Sequence, residues 1–334
     1  MKRKLAFLLM LCFGWSFFLN GCGGTLPKTD DRLQVVCTIF PEYDWARQLT
    51  QGVDNVDLTL LVKNGTDLHS YQPSVRDIAM IARADVFCYV GGVSDTWVND
   101  VLDTTENRTA QLVSMAEAAD ADEEVLAEGM QAEHEHEHEH EHDHHDDESD
   151  FHEEPPELDE HVWLSLRRAA LACTAMKEAL CKADPAHENI YNQNCTDYLQ
   201  KLQELDSDFT EMTSQAARDT IVVADRFPFR YLAEDYGLTY YAAFPGCSAE
   251  TEASFETIVF LSEKVESLHL PCVLVTEGSN SSLAKTILEN AGSDGKILTL
   301  QSLQAVSQKE IDAGVTYLSK MQENYDVLKQ ALNS

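Results

Sequence analysis

The sequence predicts an α/β protein of two lobes, with mainly parallel sheets flanked by helices and one long helix joining the lobes. Three observations lead there. At 334 residues the chain exceeds one small core and suits two lobes, each able to bury its own apolar centre. Short β-branched runs alternate with amphipathic stretches on both sides of the middle, the rhythm of strand-helix-strand units. Between them, residues 184–217 hold a helix-forming stretch with no Gly or Pro after Pro185.

Taken in order, Leu33 to Phe40 reads as a buried strand that Pro41 ends. The apolar run Val56 to Val62 leads into the loop Gly65 to Ser74. Ser74, with Pro73 before it and Asp77 after it, has N-cap chemistry for a helix on which Val75, Ile78, Ile81 and Ala82 recur. Asp85 to Val90 returns to a strand and stops at Gly91-Gly92. In the stretch 184–217, Tyr191, Cys195, Tyr198, Leu202, Leu205 and Phe209 fall three to four residues apart, so the helix presents one apolar face long enough to bridge two lobes. The second lobe then alternates: strand Thr220 to Ala224, helix Phe229 to Tyr236, strand Leu238 to Ala243, helix Phe255 to Ser267, strand Pro271 to Thr276. It closes with helix Ser281 to Ala291, strand Lys296 to Leu300 and a final helix Lys309 to Leu332.

Charge is unevenly placed. The net charge of -34 excludes a basic nucleic-acid binder and argues against electrostatic adhesion to an anionic membrane. Residues 117–160 hold 21 of the 58 acidic residues and no Lys or Arg, so the remainder is only moderately acidic. Large apolar side chains are sparse there, and the segment reads as a loosely held insertion in the first lobe. Within it Glu and His alternate, giving His134, His136, His138, His140 and His142, followed by His144 and His145. Imidazoles suit zinc, nickel and copper, and neighbouring carboxylates concentrate cations, so weak multivalent capture is physically sound. The run also satisfies H-E-x-x-H at His134, Glu135 and His138, but a zinc protease needs that motif on a helix with a packed face, and an alternating Glu-His repeat has none.

The N-terminus has the parts of an export signal: Lys2, Arg3 and Lys4, an apolar run from Leu5 to Leu19, then small residues. Leu19-Asn20-Gly21-Cys22 resembles a bacterial lipobox, with Cys22 as the lipidated residue; the alternative is a plain secretory signal in which Cys22 is incidental. The expected organisation is signal 1–21, tether 22–32, first lobe 33–183 with the insertion 117–160, bridging helix 184–217 and second lobe 218–334. Beyond Cys12 and Cys22 there are seven cysteines and no C-x-x-C unit, which gives no support to a thiolate zinc cluster. Cys37 and Cys88 lie in apolar runs and read as small buried hydrophobes; disulfide pairing stays open.

Two histidines stand out as metal ligands. His69, between an apolar run and a capped helix, is placed beyond the carboxyl end of a strand, where open α/β sheets hold ligands; a loop histidine is otherwise simply solvated. His161 stands where the charged insertion gives way to the apolar Val162-Trp163-Leu164. It is either a ligand or a helix-entry residue.

The His69 segment with Ala84-Asp85-Val86-Phe87-Cys88-Tyr89-Val90-Gly91-Gly92, the segment His161-Val162-Trp163-Leu164, and Tyr231-Leu232-Ala233-Glu234-Asp235-Tyr236-Gly237-Leu238 together resemble a family. It is that of the metal-binding receptors of bacterial zinc and manganese ABC importers, the ZnuA-like or cluster A-I proteins. Order and spacing agree along nearly all of the chain beyond its signal. The resemblance implies two α/β lobes joined by a rigid helix, with metal held in the cleft between them and His69 and His161 as the first-lobe ligands. The second lobe departs from the family pattern. The position that usually carries His or Glu is Arg226, and the usual aspartate aligns near Gln301. Asp225, beside Arg226, either turns its carboxylate into the cleft or pairs with Arg226; Glu277 is either a cleft ligand or an approach residue to the next helix. Water or an insertion histidine can also complete a tetrahedral site.

The leading expectation is a monomeric extracytoplasmic lipoprotein, tied to the membrane through Cys22, that captures Zn2+ and delivers it to an ABC permease without acting as an enzyme. Mn2+ is the rival cargo, since oxygen-rich sites favour it. A lipid-anchored zinc hydrolase and a surface adhesin or metal buffer acting through the insertion are the readings from other classes.

Overall fold

The computed structural model describes residues 32–63, 65–105, 109–130, 158–248 and 252–334. The export signal, Cys22 and the histidines from His134 to His145 lie outside them.

Two four-stranded parallel sheets organise these residues. The first contains β1 (Leu33–Cys37), β2 (Val56–Leu60), β3 (Val86–Tyr89) and β4 (Gln111–Ser114) in the order β2-β1-β3-β4. The second contains β5 (Thr220–Phe227), β6 (Thr239–Pro245), β7 (Cys272–Thr276) and β8 (Lys296–Leu300) in the order β6-β5-β7-β8. In both, the strand order reverses beside the first strand, which opens a crevice at the carboxyl ends of the central pair. The central strands are buried on both faces, as expected of parallel sheets covered by helices: β1 and β7 are almost continuous runs of Leu, Val and Cys.

The helices follow local chemistry. Pro41 does not close the first strand, as the sequence suggested. It lies in the first turn of helix Phe40–Leu49, where a missing N–H costs nothing, and β1 ends earlier at Cys37. Helix Val75–Ile81 starts at Ser74, whose hydroxyl accepts from the Asp77 N–H while the Asp77 carboxylate accepts from the Ser74 N–H. The expected final helix is two helices, Gln308–Asp312 and Tyr317–Asn333, because Ser307 and Thr316 each cap a separate start.

The bridging helix, Glu188–Ser214, is about 40 Å long and buries Tyr191, Cys195, Tyr198, Leu202, Leu205, Phe209 and Met212 along one face. It packs against helices Leu166–Ala183, Phe40–Leu49 and Tyr317–Asn333. Each lobe has an apolar centre of its own, around Val36, Phe87 and Trp97 in the first and Val222, Leu261 and Ile287 in the second, and a larger core joins them. This continuous core contains Val35 and Val86 of the first sheet, Val223 and Leu274 of the second, and Leu328 of the last helix. Polar bonds reinforce it: Tyr317 donates its N–H to Asp44 Oδ2 at 2.7 Å and its hydroxyl to the Trp163 carbonyl at 2.7 Å.

The insertion is narrower than its composition suggests. Met115–Ala118 is helical, Ala119 is buried, Glu123 bridges to Leu158, and Asp159 and Glu160 are buried. Polar anchoring adds to the burial of Met115 and Ala119 in the core: Arg168 donates to the Ala119 carbonyl at 2.6 Å and to Asp122 Oδ2 at 2.5 Å. All seven cysteines of the described residues are free thiols, and Cys37 and Cys88 are buried neighbours on β1 and β3.

Candidate metal centre

His69 lies in the helical turn Leu68–Ser70 beyond β2, and Asp67 caps that turn, its Oδ1 accepting from the His69 N–H at 3.1 Å. His161 begins the turn Val162–Leu164. It is locked from both sides: Asp159 Oδ1 accepts from its N–H at 3.1 Å and lies 2.9 Å from its Nδ1, while Trp163 is buried next to it and donates to the Ser302 carbonyl at 2.9 Å. The two imidazoles, far apart in sequence, stand 5.5 Å apart between ring centres.

Each ring has one nitrogen in use and one without a partner. His69 Nδ1 is 2.8 Å from Ser94 Oγ and His161 Nδ1 faces Asp159, whereas Nε2 of both is buried and makes no hydrogen bond. A buried polar atom left unpaired is costly, so two in one place call for a ligand. Glu160 stands on the Nδ1 side of His69: it is fully buried, its Oε1 lies 3.4 Å from His69 Nδ1 and is bonded to the Ser94 hydroxyl, and its Oε2 accepts from the Ser94 N–H at 3.0 Å. His69, Glu160 and His161 each offer a donor atom, all within 4.8 Å of one another, and they are the one such group among the described residues.

Electrostatics prepares the donors differently. Burial presses His69 down to about 4, with His161 and Arg226 adding to the effect and Asp67 opposing it, so its imidazole is neutral at pH 7. Burial also acts against the charged form of His161, but the Asp159 hydrogen bond and the charges of Asp159, Glu160 and Glu124 raise it on balance. Burial pushes Glu160 up.

Both histidines are the ligands expected from the sequence, whereas Glu160 reads there as the last charge of the insertion. The readable signal was Gly92. A Cβ there would lie 2.3 Å from Glu160 Oε2, so Gly92 leaves the space into which that carboxylate packs. Asp225 and Glu277 both line the cleft between the sheets, a cavity of about 380 Å³ that also takes in His69, Arg226 and Asn280. Neither joins the donor group. Asp225 Oδ2 accepts from the Thr276 N–H and hydroxyl at 3.2 and 2.6 Å, and Glu277 holds the Ser302 N–H and hydroxyl, each at 2.6 Å. Arg226 pairs with Asp67 of the first lobe at 2.9 Å rather than with Asp225.

Residues 35–331 match the family described as zinc-uptake complex component A, periplasmic (ZnuA). The zinc-binding lipoprotein AdcA of Streptococcus pneumoniae (strain ATCC BAA-255 / R6) is 32% identical over 330 residues, 99% of this chain and 61% of AdcA, so the chain spans about 61% of that relative's length. The high-affinity zinc uptake system protein ZnuA of Bacillus subtilis (strain 168) is 30% identical over 331 residues, 98% of this chain and 96% of its own. Among solved structures, the Zn(II)-bound ZnuA-like domain of Streptococcus pneumoniae AdcA matches with a TM-score of 0.68 and 29% identity, covering 91% of this chain and all of that domain.

Proposed function

We propose, from the premise that the chain belongs to the ZnuA family of zinc-uptake proteins, that it is an extracytoplasmic receptor that captures zinc and hands it to an ABC import permease. It is a solute-binding receptor and not an enzyme. The observation that carries the site assignment is that two imidazoles, each with a buried and unpartnered Nε2, and a buried carboxylate offer donor atoms within 4.8 Å of one another. His69, Glu160 and His161 are the ligands in this reading: Glu160, though bonded through both oxygens to Ser94, stands within donor reach of both histidines, whereas Asp225 and Glu277, bonded to Thr276 and Ser302, lie outside that group.

Two nitrogens and one oxygen, with a fourth position left to water, make a donor set suited to zinc more than to manganese, which favours all-oxygen octahedra. Asp159 stands behind His161 as the outer carboxylate that fixes a ligand imidazole's tautomer. In the same reading the protein is a monomer anchored through lipidated Cys22, and the histidines from His134 to His145 collect cations.

Zinc titration against a chelator of known affinity tests the assignment. Deleting residues 133–147 leaves one tight site; His69→Ala with His161→Ala removes it; Glu160→Gln weakens it by roughly tenfold or more. A tight site that survives the double histidine substitution places the ligands elsewhere.

A further inference from the structure

All three proposed ligands come from the first lobe, and among the described residues the second lobe adds no donor to their group. What it presents is Arg226. We infer, building on the zinc-site reading above, that Arg226 and Asp67 form a clasp across the cleft that positions His69 and holds the lobes together whether or not metal is bound.

The clasp is a chain of bonds. Thr276 of β7 donates its N–H and hydroxyl to Asp225 Oδ2, Asp225 Oδ1 accepts from the Arg226 N–H at 2.9 Å, Arg226 Nη2 donates to Asp67 Oδ2 at 2.9 Å, and Asp67 Oδ1 accepts from the His69 N–H at 3.1 Å. One carboxylate thus has its two oxygens committed to two lobes: one to the backbone of a zinc ligand, the other to the opposite wall. Asp225 acquires a role that ligation would have denied it, since it fixes the strand from which Arg226 reaches out. The register of β5 against β6 breaks between Val223 and Arg226, and that irregularity is where the strand turns these two side chains into the cleft. Because the pair is about one-third exposed on each side, it is open to screening by salt. Arg226 is therefore a positioning residue acting through Asp67, and zinc leaves at a rate set by opening of the clasp.

The test uses the full chain. Zinc release into excess chelator is followed by stopped flow at about 0.05 and 0.5 M salt, and amide exchange across residues 65–71 is followed in metal-free protein. Release from the unaltered protein quickens about threefold at the higher salt. Arg226→Gln and Asp67→Asn, the latter keeping an oxygen for the His69 N–H, release zinc at that fast rate at both salt concentrations, and combining them adds nothing further. Arg226→Lys restores the salt dependence, and exchange at His69 speeds up in Arg226→Gln without any metal present. Unchanged release and unchanged exchange in Arg226→Gln overturn the clasp. Faster exchange in that variant, in a protein whose unaltered form lacks a tight zinc site, upholds the clasp and sinks the zinc-site assignment instead.

Discussion

Asp159 Oδ1 lies 2.9 Å from His161 Nδ1, with 2% and 0% of the two side chains exposed. In that setting the carboxylate both orients the ring and favours a proton on Nδ1, leaving the Nε2 lone pair for metal. Asp159→Asn keeps an oxygen within reach but removes the charge. Zinc affinity should fall about 10- to 100-fold, as measured by chelator competition, while circular dichroism of the metal-free variant stays that of the parent.

The same charges make capture a proton-releasing event. His161 and Glu160 both hold their protons to higher pH than an ordinary imidazole or carboxyl, and zinc competes with those protons in the proposed site, whereas His69, at about 4, carries none at pH 7. Calorimetry in buffers of different ionisation enthalpy should report proton release on zinc binding, larger at pH 6 than at pH 8. Affinity should fall with pH over the same range. A heat of binding independent of the buffer at pH 6 would contradict the arrangement.

Beneath the site two further carboxylates are buried and incompletely bonded: Glu42 Oε1 and Asp95 Oδ1 have no partner. Burial pushes Glu42 to about 8 and Asp95 to about 7, with Asp95 adding to the first and Glu160 to the second. The folded state therefore keeps protons that the unfolded chain has already released above its ordinary carboxylate range, and stability falls as pH rises towards the folded values. His161, raised as well, loses its stabilising contribution in the same direction, while His69, lowered from 6.5, destabilises the fold only below 6.5. Between about pH 6.5 and 8 every cited shift pulls the same way. Thermal melts of metal-free protein should show Tm dropping by on the order of 5 °C across that window, and Glu42→Gln with Asp95→Asn should flatten the slope.

How far the sequence reached depends on whether the deciding contact was local. Helix Phe255–Ser267 and strand Lys296–Leu300 have the limits read from periodicity, because capping and apolar alternation are near-neighbour signals. The histidine pair was legible through family motifs. Glu160 was not, since what makes it a buried donor is Ser94, 66 residues away, and the vacant side of Gly92. Asp225 and Glu277 were rightly placed at strand ends facing a cleft, but whether a carboxylate is free or already held by Thr276 or Ser302 is decided between β5, β7 and β8, beyond the reach of any window along the chain. Helix Phe40–Leu49 was hidden by Pro41, a residue with one meaning after a strand and another inside a helix's first turn.

Gly246 tests whether the second lobe matters to His161 through packing alone. It follows β6, and a Cβ placed on it would lie 2.9 Å from both Cε1 and Nδ1 of His161 and 3.1 Å from the Phe227 carbonyl. None of these neighbours is the loose end of a flexible chain: the ring is held by Asp159 and fully buried, and the carbonyl belongs to β5. Gly246→Ala must therefore tilt the imidazole or push the lobes apart, an overpacking cost of about 1–3 kcal/mol. Tilting the ring also re-aims Nε2, the nitrogen left without a partner. Tm should fall by a few degrees, and zinc affinity, measured at low temperature where the variant is folded, should fall by roughly tenfold. A variant of lower Tm that binds zinc as tightly as the parent would show that the second lobe covers His161 without setting its aim.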